Sequence, residues 1–306
     1  MSSCTQINRR DNLKTRAQII QTIRKFFITR NFLEVDTPIR IPAPTPEAHI
    51  DAIASEEWFL QTSPELYMKR LLTTGYTLIF QICKCFRKGE RGRRHLPELT
   101  MLEWYTAGHT YVDLMQQTAE LIGLIAEQLN VGDTITYQGV QINLETPWSS
   151  LTVSEAFAKY ASVSMEIALE KGCFDEVMVE EIEPRLGLEK PVFMYDYPAS
   201  QAALAILKPA DKSVAERFEL YIGGLELCNG FTELTDPDEQ HKRFEQERNF
   251  RKSTGKRVYP LPQKFLNVLT DMPDAAGNAL GIDRLVMLFT DTATIDEVVA
   301  FTPEEL

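Results

Sequence analysis

Two carboxylates flank a Gly-Gly pair in Arg217-Phe-Glu-Leu-Tyr-Ile-Gly-Gly-Leu-Glu-Leu-Cys-Asn-Gly230. Polar and apolar residues alternate here, and Gly223-Gly224 is a two-residue hairpin signal. With those glycines as the turn, Ile222 faces Leu225, Tyr221 faces Glu226 and Glu219 faces Cys228. Glu219 and Glu226 are then diagonal neighbours on one face, with backbones roughly 7–8 Å apart. Carboxylates so placed can share a divalent cation, and paired hard oxygen ligands completed by phosphates and water are how Mg²⁺ is usually held. A solvated face of an exposed sheet is the other reading of the same spacing.

Two further clusters complement that pair. Arg87, at the end of a strand pattern, opens the basic stretch that holds Lys88, Arg91, Arg93, Arg94 and His95. A guanidinium there can clamp a phosphate in two-pronged fashion and neutralise charge that develops during displacement. Past the loop, Glu103 and Tyr105 share a strand face by period-two alternation and could together receive an ammonium. Arg284 falls in the first turn of a helix that follows the small-residue run Gly277-Asn-Ala-Leu-Gly281, where the helix start already favours an anion such as a terminal phosphate. Read singly, the loop is a solvated charge run and Arg284 a surface arginine behind an ordinary cap.

The elements that must position these groups follow from periodicity. Ile19, Ile20, Ile23, Phe26 and Phe27 recur at helical spacing within 13–30, and 32–38 reads as an extended piece closed by proline. Strands are expected over 77–87 and 98–107, then a helix over 111–130 and a hairpin over 134–144 turning at Gln138-Gly139. Thr152 with Glu155 has the capping-box pattern for a helix running to about Ala161. Residues 166–190 read as charged helix with no chemistry. Strands are expected over 192–197, 218–222, 225–230 and 279–282, and Asp236-Pro237 opens a charged helix reaching about Lys252. Antiparallel strands followed by runs of helix indicate an α+β class.

Composition bounds the function. The 306 residues are 44% hydrophobic and 25% charged, which excludes disordered and fibrous architectures. The net charge of −12 offers no broad footprint for a polyanion. No run reaches the ~18–20 apolar residues of a membrane span, and a cytoplasmic location is expected. Cys4, Cys83, Cys85, Cys173 and Cys228 lack C-x-x-C spacing and the histidines are scattered, so reduced thiols and no zinc site are expected.

Taken in order, the clusters resemble the three motifs of the class II aminoacyl-tRNA synthetases. Asn31-Phe-Leu-Glu-Val-Asp-Thr-Pro38 is similar to motif 1. Phe86-Arg87 through Arg94-His95-Leu-Pro-Glu98 and Glu103-Trp-Tyr105 is similar to motif 2, and Gly281-Ile-Asp-Arg284 to motif 3. The closest resemblance within the class is to the lysyl-tRNA synthetase catalytic domain, an antiparallel sheet flanked by helices, from about Leu13 onward. Only about a dozen residues precede that helix, so a single catalytic domain over 1–306 without the N-terminal OB-fold is expected. With Thr62-Ser63-Pro64-Glu65, Pro198-Ala-Ser-Gln201 and Asn229-Gly-Phe-Thr-Glu233, this truncation resembles the elongation factor P lysyltransferase family.

The resemblance implies ATP and Mg²⁺ as cofactors, activation of (R)-β-lysine or lysine, and transfer to a lysine of elongation factor P. By matching position it implies an amino-acid pocket of Ser63, Pro64, Glu65, Glu103, Tyr105, Asn229 and Glu233. It implies ATP contacts from Arg87, Glu226, Leu227, Gly281 and Arg284, with Arg87 and Arg284 as the catalytic pair, and Mg²⁺ on Glu219 and Glu226. Motif 1 implies a homodimer. Strict alternation sets Asn229 opposite Glu226, so a bulge near Gly230 is expected to re-aim it. Ala279 stands where the synthetases carry glycine, a change shared with the lysyltransferases. Leu99, Gly89 and Leu96 replace a phenylalanine, a glutamate and an asparagine on the adenine side. Charging of tRNA or another small acceptor is a competing reading, which the net charge and the missing anticodon domain oppose. A non-catalytic paralogue that senses ligand is another; the surviving arginines and carboxylates oppose that one.

Overall fold

A computed structural model describes residues 3–306, with side-chain surroundings from Arg9 onward. Its frame is an eight-stranded sheet. In chain order the strands are β1 (Leu33–Glu34), β2 (Leu78–Phe86), β3 (Glu98–Ala107), β4 (Ser149–Thr152), β5 (Val192–Pro198), β6 (Val214–Ile222), β7 (Leu225–Thr232) and β8 (Ala275–Gly281). Across the sheet they run β1-β2-β3-β8-β7-β6-β5-β4. The six central strands are antiparallel, and the two-residue β1 and the short β4 add parallel edges. The class is α+β.

Alternation on the strands gives the sheet two unlike faces. Leu102 and Trp104 of β3, Phe218, Leu220 and Ile222 of β6, and Leu280 of β8 point into the main core. That core is closed by α1 (Ser3–Ile28), α3 (Tyr111–Gln128) and α5 (Ile282–Phe289), whose apolar stripes include Ile19, Ile23, Leu121, Ile125, Leu285 and Val286. The other face carries Glu103, Tyr105, Arg217, Glu219 and Asn229, and bounds a cavity. Two more helices border it: α2 (Glu65–Leu72) and α4 (Pro237–Ser253). As expected, Asp236 caps α4, its side chain accepting from the amides of Asp238 and Glu239. Thr152 and Glu155 form the capping box of the helix Val153–Tyr160.

Several elements differ from expectation. The first helix starts at Ser3 rather than near Leu13. The strand expected over 32–38 shrinks to two residues, since beyond Glu34 the amide of Thr37 goes to the side chain of Gln81 instead of a neighbouring strand. The helix expected over 166–190 breaks at left-handed Gly172, resumes at Phe174 and ends by Arg185. Cys83, Cys85, Cys173 and Cys228 are free thiols; the side chain of Cys4 lies outside the described residues. Among the described residues no group of three ligating side chains could hold a metal alone, and no helix is long and apolar enough to cross a membrane.

Candidate active site

The hairpin register is the first correction. Ile222 pairs with Leu225 and Tyr221 with Glu226, but Leu220 pairs with Cys228 and Glu219 with Asn229. The extra residue is Leu227, so the bulge lies nearer the turn than Gly230 and Glu219 does not face Cys228. Its cause is in the side chains: Leu227 and Cys228 are consecutive apolar residues and both are buried in the core, which one pleated strand cannot achieve without an inserted residue. The shift moves Asn229 onto the face of Glu219. Glu219, Asn229, Ala279, Glu103 and Gln81 then form one rung across five strands. The next rung is Arg217, Phe231, Gly277, Tyr105 and Ile79.

These rungs bound a cavity of about 1060 Å³. At one end lies an acidic pocket. Glu103 accepts from the Ser63 hydroxyl at 2.6 Å and from the Tyr105 hydroxyl at 2.9 Å. Ser63 also accepts from the amide of Glu65 at 3.0 Å, and Pro64 is the N-cap residue of α2. Burial, with Glu65 nearby, pushes the Glu103 carboxyl up to about 8. Glu233 is pushed up to about 8 by burial although the Lys69 ammonium opposes it. Lys69 also bonds Glu65 at 2.6 Å. Gly277 is required where it stands: a Cβ there would run into the Tyr105 ring and the Glu233 carboxylate. This pocket is built to take cationic groups.

Toward the other end the groups suit phosphate. Arg87 leaves its buried Nε without a partner and reaches Glu90 only at 3.8 Å, so its guanidinium has donors to spare. Arg284, in the first turn of α5, donates to the Glu226 carboxylate at 3.0 Å and to the Glu226 carbonyl at 2.9 Å. Its other terminal nitrogen lies 2.5 Å from His95 Nε2. Burial and the Arg284 charge hold His95 below its ordinary value, the neutral form that can accept this bond. Gly281 and Leu227 are adjacent on the wall.

Glu219 and Glu226, the carboxylate pair, line the same cavity. Glu219 is 8% exposed; its Oε1 accepts from Arg217 at 2.6 Å and its Oε2 from the Tyr221 hydroxyl at 2.6 Å. Arg217 also donates to Asn229 Oδ1 at 3.1 Å and to the carbonyl of Gln201. Both oxygens of Glu219 are thus held in place, and a carboxylate oxygen with one donor still has acceptor capacity. Two carboxylates without a third protein ligand fit Mg²⁺, which keeps waters and takes phosphate oxygens in preference to a full protein cage.

Four groups escaped the sequence reading. Lys69 had a signal, its i,i+4 spacing from Glu65 on a helix. Arg217 and Tyr221 flank Glu219 at period two. Glu183 sits 3.5 Å from the Tyr221 hydroxyl and is raised to about 7 by burial and by Glu226 and Glu219. It comes from the segment read as without chemistry, and only tertiary packing brings it there. The basic loop is also less free than its sequence suggests. Arg91 is paired to Asp296 and Glu304, and Arg94 donates to the hairpin turn at Gly224. Of the three departures from the synthetase motif, Leu99 and Leu96 both line the cavity, Leu96 also packing into the main core, and Gly89 occupies a left-handed turn at φ +80°.

Residues 3–305 match the family described as tRNA synthetases class II (D, K and N). The chain belongs to the class II tRNA synthetase family. With it, the chain joins the ATP-dependent ligases. It is 40% identical over 306 residues to the elongation factor P–(R)-beta-lysine ligase of Vibrio atlanticus, covering 94% of each chain. It is equally 40% identical over 316 residues to the protein of that name from Erwinia tasmaniensis, covering 95% of this chain and 94% of the other. The ligase of that name from Pseudoalteromonas translucida is 40% identical over 306 residues.

Proposed function

We propose that this synthetase-fold ligase activates (R)-β-lysine, or lysine, with ATP and passes the lysyl group to a specific lysine of elongation factor P, acting in the cytoplasm as one catalytic domain. The observation that carries the reading is the juxtaposition, in one cavity, of a buried three-carboxylate pocket with two arginines and a carboxylate pair suited to a triphosphate. The names of the relatives supply the acceptor.

In the reaction the amino acid's ammonium groups bind Glu65, Glu103 and Glu233, with the Tyr105 hydroxyl and Asn229 beside them. This fixes the substrate carboxylate toward the α-phosphorus of ATP. One carboxylate oxygen attacks that phosphorus, the bond to the bridging oxygen breaks, and pyrophosphate leaves. Arg87 and Arg284 hold the phosphates and neutralise the charge that grows on them, so that positioning and electrostatics supply the catalysis without a protein nucleophile. Mg²⁺ held by Glu219 and Glu226 would add positive charge at the phosphates. Arg217 and Tyr221 keep the Glu219 carboxylate pointed at the cavity. The acceptor amine then attacks the carbonyl of the mixed anhydride, AMP departs, and the amine gives up a proton.

Exposed apolar side chains at Ile28, Leu33, Ile39 and Trp58, in and around the motif 1 segment, support a homodimer through that segment. Pyrophosphate exchange dependent on added lysine or (R)-β-lysine tests activation. Exchange in the unaltered protein, lost in Glu219→Gln and in Glu226→Gln, is expected; full exchange in either variant would sink the metal assignment.

A further inference from the structure

Lys69 is completely buried, and its ammonium lies between two pocket carboxylates. It bonds Glu65 Oε1 at 2.6 Å from one turn further along α2 and contacts Glu233 Oε2 from the end of β7. Phe231 of β7 presents its ring 5.0 Å from the same nitrogen. Glu103 and Tyr105 of β3 also face the pocket, and Glu103 has only the neutral partners Ser63 and Tyr105. Glu47, raised to about 7 by burial, adjoins Glu65 but has the Arg87 guanidinium to offset it, and Arg217 is paired with Glu219, so these three stand outside the count. Lys69 has no catalytic part in the activation chemistry derived above.

Charge counting gives it one. Glu65, Glu103 and Glu233, when ionised, carry three negative charges in a water-poor site, and Lys69 supplies one positive. A site left short of positive charge in such surroundings is strongly disfavoured unless a ligand completes it. We propose that Lys69 is a specificity-setting positioning residue: it permanently neutralises one pocket carboxylate, leaving a deficit of two that an amino acid with two ammonium groups completes and a mono-amino acid does not. The inference rests on the activation reading above, and it explains how a pocket can demand a diamino acid whether the second amine is at the α or the β carbon. The resident ammonium also opposes proton uptake by Glu233, so that an entering substrate displaces fewer tightly held protons.

The test is amino-acid-dependent pyrophosphate exchange with lysine and (R)-β-lysine in the unaltered protein, K69M, E233Q and the double variant. K69M is expected to raise the KM for the amino acid at least about tenfold near pH 7, while the KM for ATP stays within about twofold. The amino-acid deficit should shrink as the pH is raised toward about 9, because carboxylates stripped of their counter-ion hold protons to higher pH. The double variant, which restores the count of two, should lose less than the product of the single losses. A purely structural lysine would move both KM values together, keep the deficit constant with pH and give multiplicative losses; any of these overturns the inference, as does an unmoved amino-acid KM. If K69M fails to fold, K69Q keeps a donor without the charge and makes the same comparison. Absence of exchange with either isomer in the unaltered protein overturns the activation reading, and the inference with it; normal exchange there with an indifferent K69M overturns only the role of Lys69.

Discussion

Glu103 illustrates how a single residue's surroundings set what it binds. A fully buried carboxyl with two neutral hydroxyl donors and a neighbouring carboxylate is held up to about 8, so near neutrality it retains a proton until a cation arrives. The sign of the consequence is fixed. An ammonium binds the ionised form, so affinity for the amino acid rises as pH climbs toward about 8, where Glu103 and Glu233 both titrate, and falls below it. The KM for the amino acid should therefore drop by about tenfold for each pH unit per displaced proton across that window, with the KM for ATP changing little. A flat amino-acid KM between pH 6 and about 8.5 would contradict the assignment of these carboxyls to the ammonium groups. Glu103→Gln removes the charge but keeps the shape; it should lose about 100-fold or more in kcat/KM for the amino acid, in keeping with a buried charge-assisted bond.

At the scale of elements, the hairpin shows where sequence reasoning reaches and where it stops. Its turn at Gly223-Gly224 and the pairing of Tyr221 with Glu226 were legible, because two glycines between alternating strands leave few other folds. The bulge was misplaced. Treating Leu227 and Cys228 as alternating ignored that both are apolar, and their shared burial is what shifts the register by one. That same shift aligns Glu219, Asn229, Ala279 and Glu103 in one rung, so the site depends on a packing preference that no motif encodes. Strands β2 and β3 and the helices over 111–128 and 237–253 were read correctly, since long amphipathic or capped segments carry their own signal. Glu183 stayed hidden because its neighbours Tyr221, Glu219 and Glu226 are distant in sequence, and the spacing of Lys69 from Glu65 shows one of its partners but not the other, Glu233. Gly223 adopts φ +62° and a Cβ on it would meet Tyr137 Cδ1 at 2.7 Å. Gly223→Ala should destabilise the protein by roughly 1–3 kcal/mol in chemical denaturation and disturb the aim of Glu226. Unchanged stability would mean that the turn relaxes freely.

For the whole molecule, the cavity is only as rigid as the ties between its layers. Asp283, one residue before Arg284, is buried and accepts from Arg16 of α1 at 2.6 Å and from the amide of Thr100 on β3 at 2.7 Å. One carboxylate thus fixes the start of α5 to a helix and a strand, and with it the direction of Arg284. Asp283→Asn leaves the half-buried Arg16 without its counter-charge, and a loss of about 2–3 kcal/mol, below that of a fully buried pair, is expected in denaturant unfolding, together with a raised KM for ATP. A variant as stable as the original would show that α5 is held by its apolar face alone. If the proposed homodimer forms through the motif 1 segment, Leu33→Glu should shift the mass in light scattering from dimer to monomer; an unchanged dimer mass would place the interface elsewhere, and a monomer mass in the unaltered protein would refute the dimer.

A cavity that activates a lysine isomer and delivers it to a protein leaves a covalent mark on that protein. The mark is read as the intact mass of purified elongation factor P after incubation with this protein, ATP, Mg²⁺ and either (R)-β-lysine or α-lysine, with charging of lysine tRNA followed in parallel. A lysyl-sized mass gain, larger with the β isomer and absent without ATP, is the predicted result. Unmodified factor alongside charged tRNA, or no product on either acceptor, would contradict it.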